Sequence, residues 1–234
     1  MKRFYQDVGA VPVDGGFAVL LDGRPVRTPG RNLLVLPTDT LAVAIADEWA
    51  AQGDQIVATT MPLLRLANTV VDGVAVNRAG VIDTILRFGE NDLLCYRAHQ
   101  PPELAARQRE GWDPLLDWVR QRHGAHMRTA EGLTHIDQTP DALLALREAL
   151  EEFDPFTLGA LHVIASITGS AVLALAAAHG FISGPNAFAL SRIDEVYQAE
   201  KWGEDAEAAK RAGNLAHELD MAVALMILAR PESH

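Results

Sequence analysis

The stretch LGALHVIASITGSAVLALAAA, residues 158–178, decides what kind of protein this is. It carries no charged side chain and is long enough for a helix to cross a bilayer, which takes about 20 apolar residues. Yet it is rich in Ala and Gly and contains His162, Ser166, Thr168 and Ser170. Asp154 precedes it, and neither a close Lys or Arg flank nor an aromatic belt marks a membrane boundary. A central helix wrapped by other helices has the same all-round apolar look. The stretch therefore reads as one long buried helix, ended by Gly180, at the heart of a helical domain.

The neighbours agree with that reading. Toward the C terminus, Ser183-Gly184-Pro185 is a loop, and two further helices are expected at about 186–201 and 204–229. Toward the N terminus, Thr139-Pro140 opens a helix running to about Phe153, and Pro101-Pro102 opens another. Pro114 lacks a backbone donor, so a kink or a new helix start is expected there. A helix over about 77–88 places Val81, Ile82, Ile85 and Leu86 on one face. Residues 93–96 are ambiguous between strand and helix end.

The first 37 residues have a different texture. Phe17 to Leu21 is a short apolar run, Asp22-Gly23 is a hairpin turn signal, and Pro25 to Thr28 returns. Pro29-Gly30 turns again before a strand over Leu33 to Leu36. The prolines point to edge strands. From Thr38 the period becomes helical, with Leu41, Ile45 and Trp49 on one face and Gly53 as the stop. Residues 55–60 form a candidate extra strand. Pro62 then starts a helix carrying Leu63, Leu66, Ala67 and Val70. The expected class is α+β, with a small β-rich N-terminal domain over residues 1–65 and a larger all-helical domain over 66–234.

Composition narrows the function. The net charge is −11, and residues 141–234 carry six basic against fourteen acidic groups. Nucleic-acid binding needs a cationic footprint, which this chain lacks. A single cysteine, Cys95, rules out an internal disulfide and a thiolate-rich zinc site. No phosphate-binding loop, dinucleotide-binding turn, nucleophile elbow or His-Glu-x-x-His is present. Tyr197 and Lys201 have the spacing of a dehydrogenase pair, but no nucleotide-binding strand-turn-helix lies upstream, so they share one helix face. His123, His126 and His135 flank a helix end at Gly124 and read as capping or hydrogen-bonding histidines rather than metal ligands. Glu195, Glu204 and Asp205 are either paired carboxylates or helix-capping acids, and spacing favours capping. Helical spacing puts Trp112 and Trp118 in the core, and Trp202 reads either as a core residue or as an aromatic anchor.

Six segments taken in order resemble one family. Trp49, Gln52 and Ile56 precede Met61-Pro62-Leu63. Leu94-x-Tyr96-Arg97 and Gln108-x-x-x-Trp112-Asp113-Pro114-Leu115 follow. Thr168-Gly169-Ser170, Glu195-x-Tyr197-Gln198 and Trp202-Gly203-Glu204-Asp205 complete the set. Each block is weak alone, but the ordered set resembles the F-type ATP synthase assembly chaperones. The resemblance implies a two-domain fold, no catalysis and no cofactor. It implies a monomer that binds the free α subunit and shields its subunit interface until a β subunit replaces it. It also implies a needed acidic position in the C-terminal domain, at Glu204 or Asp205, and partner contacts are expected on that acidic surface through Glu195, Trp202, Glu204 and Asp205. No Arg-rich, acid-poor presequence is visible, so a bacterial, cytoplasmic protein is expected. The alternative is a small-molecule enzyme with a carboxylate site at Glu195, Glu204 and Asp205.

Overall fold

The structure, a computed structural model, describes residues 1–132, 134–203 and 205–231. The chain divides into two compact units. The first gathers residues 1–78, 154–160 and the described residues from Met221 onward; the second gathers 79–153 and 161–220.

The first unit is built on a small antiparallel sheet. Strand β1 (Val8–Val13) pairs along its length with β2 (Gly16–Leu21), from Val8 opposite Leu21 to Val13 opposite Gly16. On the other edge of β2 lie β3 (Arg24–Pro25) and β4 (Val35–Leu36), one after the other. Asp22 and Gly23 both adopt positive φ, 47° and 76°, which is the backbone a two-residue hairpin of this hand requires. Both prolines in the sheet, Pro12 and Pro25, sit on strands that flank β2, where a missing N–H costs no ladder bond.

Helix α1 (Asp39–Ala50) covers the sheet with Leu41, Ile45 and Trp49, all buried, and Thr38 caps it by accepting the Leu41 N–H. The Tyr5 hydroxyl donates to the Trp49 carbonyl at 2.7 Å, and the two rings meet edge to face. Residues 55–60 are not a strand. Gln55 makes one bridge to Lys2, Ile56 donates to the Met1 carbonyl, and Ala58–Thr60 forms a 3-10 turn. The reason is the Gln52 side chain, which accepts the Val57 N–H at 2.8 Å and donates to Thr60, curling the segment back. Helix α2 (Pro62–Thr69) starts on the proline and is capped from a distance. The Glu48 carboxylate accepts the Leu63 and Leu64 N–H groups at 2.8 and 2.9 Å. The block from Trp49 to Leu63 thus forms the hydrogen-bonded connection between α1 and α2.

The second unit is helical. Helix α3 (Arg78–Glu90) leads through a 3-10 turn into β5 (Tyr96–Arg97) and then α4 (Pro102–His123). No new helix starts at Pro114. The helix is unbroken, because Trp112, Leu115 and Val119 are buried on either side of the proline and hold both halves in register. A short strand β6 (Ala130–Glu131) pairs in parallel with β5, ahead of α5 (Pro140–Glu151).

The apolar stretch over residues 158–178 belongs to two helices rather than one, α6 (Pro155–Thr168) and α7 (Ala171–Ala178). Gly169 takes φ 69°, which ends α6, and the Ser170 side chain caps α7 by accepting the Leu173 N–H. All eight residues of α7 are buried, as expected of a helix wrapped by others. Among the described residues, no helix is long and apolar enough to cross a membrane.

The segment expected as one helix over about 186–201 also divides, into α8 (Gly184–Ser191) and α9 (Ile193–Trp202). The Ser191 hydroxyl donates to the Phe188 carbonyl, and the Arg192 N–H closes onto Ala189, which tightens the turn and re-aims the chain. The last helix, α10, spans Ala206–Leu228.

Candidate functional site

The site is set by how α9 is held. One face of α9 is tied to α4. The Tyr197 hydroxyl and the Lys201 ammonium both donate to one Glu103 oxygen, at 3.2 and 3.1 Å, and Arg107 bonds Glu200. The Tyr197–Lys201 spacing is therefore a structural clamp. Upstream, Gln108 accepts the Ala98 N–H at 2.7 Å and donates to Asp194 at 2.6 Å, while the Trp112 indole donates to the Leu190 carbonyl at 2.8 Å. Arg97 pairs with Asp113 at 2.8 Å and lies over the Trp112 ring. Two of the sequence blocks, around Arg97 and around Gln108–Asp113, thus serve to position the α8–α9 corner.

The other face of α9 is open. Arg192, Glu195, Val196, Ala199 and Trp202 fall at spacings of three and four, so they form one stripe. Gly203, with φ 93°, turns the chain sharply, and Asp205 begins α10 by accepting the Glu207 N–H at 3.0 Å. The corner creates a groove of about 420 Å³ between the α9 stripe and the start of α10, with Phe188 at one end. Trp202 is 79% exposed, although an indole buried in a core removes far more apolar area from water. Val196 is also exposed.

Three of the four residues singled out in the sequence, Glu195, Trp202 and Asp205, line this one groove. Glu204 lies outside the described residues. Of the two readings of Trp202, core residue or exposed anchor, its exposure excludes the core, because Gly203 ends α9 and leaves the indole beyond the last packed turn. Trp112 is 1% exposed, as expected, and Trp118 stacks on Phe181. Sequence reasoning missed Phe188, Val196 and the alanines of α10. The stripe from Arg192 to Trp202 was the signal that could have found Val196.

The two described carboxylates of the groove each have a structural partner and remain exposed. Glu195 pairs with Arg192 at 2.8 Å, and Asp205 caps α10. Among the described residues, no group of His, Cys, Asp and Glu is arranged to hold a metal ion. The three histidines are dispersed: His123 packs edge-on against Trp118, His126 is exposed, and His135 bonds Tyr96 and Asp137. A second cavity, of about 410 Å³, lies in the first unit between Leu33, Val70, Val71 and Phe156. Among the described residues its one carboxylate is Asp154, which accepts the Phe156 and Thr157 N–H groups.

Residues 2–120 match the family described as the ATP12 chaperone protein. The chain belongs to the ATP12 chaperone family. These are the ATP synthase assembly chaperones that the ordered blocks resemble, so membership makes the chain a chaperone and not an enzyme. The crystal structure of Atp12 from Paracoccus denitrificans superposes with a TM-score of 0.94, at 44% identity over 98% of each chain. A mutant of that Atp12, with lysine in place of an aspartate, superposes equally well at 43% identity. The mitochondrial protein atp12 of Schizosaccharomyces pombe is 24% identical over 218 residues, covering 86% of this chain and 74% of the yeast protein.

Proposed function

We propose that this ATP12 chaperone captures the free α subunit of the F-type ATP synthase catalytic sector as a monomer in the bacterial cytoplasm. It covers the face that later meets a β subunit. Partner contact is assigned to Glu195, Trp202, Glu204 and Asp205.

The observation that carries the reading is the exposed indole of Trp202, which lines one groove with Glu195 and Asp205. An unassembled subunit exposes an interface that is apolar at its centre and polar at its rim. A holder needs an aromatic anchor for the first and reversible polar contacts for the second. Release then follows by mass action when the β subunit competes for the same face. The carboxylate-enzyme alternative is not favoured, because the family to which the chain belongs is one of chaperones.

The test is affinity capture of purified α subunit by the tagged chain, repeated with excess β subunit. Capture that β displaces supports the reading. Capture that β leaves unchanged places the chaperone on a different face of α, and no capture removes α as the client.

A further inference from the structure

The groove constrains the shape of what it receives. Its walls are helices, whose backbone groups are bonded internally, so it presents no strand edge to pair with. An extended segment laid into it would lose water from its own N–H and C=O groups with nothing in exchange. A helix arrives with those groups already satisfied. The α10 wall is made of Ala208, Ala209 and Ala212, small enough for another helix backbone to approach to roughly 8–10 Å. From Ala206 to Asp220 only Leu219 of α10 is buried, so among the described residues this half of the helix keeps an exposed flank.

The charge is equally specific. Among the described residues, the groove is lined by two exposed acids, Glu195 and Asp205, against one base, Arg192, which Glu195 already engages. The nearby Lys201 is held by Glu103.

We infer that the groove takes an amphipathic α-helix of the client whose apolar stripe is flanked by Lys or Arg. This rests on the chaperone function proposed above and adds the chemistry of the bound segment. An apolar side chain of the client helix seats against Trp202, Val196 and Phe188, and a basic residue one turn away meets Asp205. The helix runs along the alanine wall and becomes the missing neighbour of α10.

The test uses the full chain and a fluorescein-labelled synthetic helix of about 16 residues, roughly 24 Å long, with a leucine stripe flanked by arginines. Anisotropy should report binding in the range of tens of micromolar. Replacing the arginines with glutamates, or breaking the helix with a central proline, should weaken it at least tenfold. So should Trp202→Ala in the protein, and bound peptide should shield the exposed indole from acrylamide quenching. Equal binding of the arginine and glutamate peptides, tolerance of the proline, or indifference to Trp202→Ala would overturn the inference. If the protein captures α subunit yet ignores the arginine helix, the chaperone reading stands and this inference fails. If it binds the helix but not α, the groove chemistry stands and the client is wrong.

Discussion

The Asp92 carboxylate accepts the backbone N–H of Val172 at 3.1 Å, joining the end of α3 to the start of α7. It also accepts the Leu94 N–H at 3.1 Å and is completely buried. Burial pushes its pKa up to about 6, against the opposing pull of hydrogen bonds from Ser170, Val172, Leu94 and Ala171. Between roughly pH 4 and 6 the folded chain keeps a proton that the unfolded chain has lost. The stability from this group is thus complete below about pH 4 and is lost as the pH rises through about 6. The change is on the order of 3 kcal/mol for a shift of this size. Urea unfolding of the wild type and Asp92→Asn across pH 4–7 should differ in slope over that window. Parallel profiles would show that Asp92 does not titrate there.

The break between α6 and α7 depends on Gly169. An added Cβ there would meet only Leu93, at an ordinary 3.8 Å, so the cost of Gly169→Ala is the left-handed backbone itself. That cost is about 1–2 kcal/mol, or a fall of roughly 2–8 °C in the thermal midpoint. An unchanged midpoint by calorimetry would mean that the corner relaxes freely.

The Tyr197–Lys201 pair should behave as packing and not as chemistry. Tyr197 is 5% exposed, so Tyr197→Ala should cost about 3 kcal/mol and lower the midpoint by roughly 6–12 °C. Lys201 is at the surface, and Lys201→Ala should leave the midpoint unresolved from wild type by calorimetry. A large loss in the lysine variant would show that Glu103 needs its partner to hold α9.

Much of the fold was legible in the sequence, and for identifiable reasons. Asp22-Gly23 marked the hairpin, Pro62 and Thr139-Pro140 marked helix starts, and the period of Leu41, Ile45 and Trp49 marked the face on the sheet. What was not legible involves partners distant in sequence. Glu48 caps α2 across a turn, and Gln52 curls residues 55–60 out of strand geometry. The long apolar run hid a corner because Gly169 and Ser170 are small and uncharged, and hydropathy does not register a positive φ. At the site, the acids were visible as residues, but the groove was not. Trp202 becomes an anchor only because Gly203 ends its helix one residue later.

The central claim is that this groove holds the client. The most direct measurement is α-subunit capture by Trp202→Ala and Asp205→Asn, each with its thermal midpoint. Asparagine keeps the cap on α10 and removes the charge. Because Trp202 is exposed, its truncation should change stability by no more than about 0.5 kcal/mol. It should weaken capture at least tenfold, as loss of a hot-spot aromatic does. Asp205→Asn should weaken capture less, with the midpoint held. Capture unchanged in both variants, or lost only in step with stability, would contradict the account.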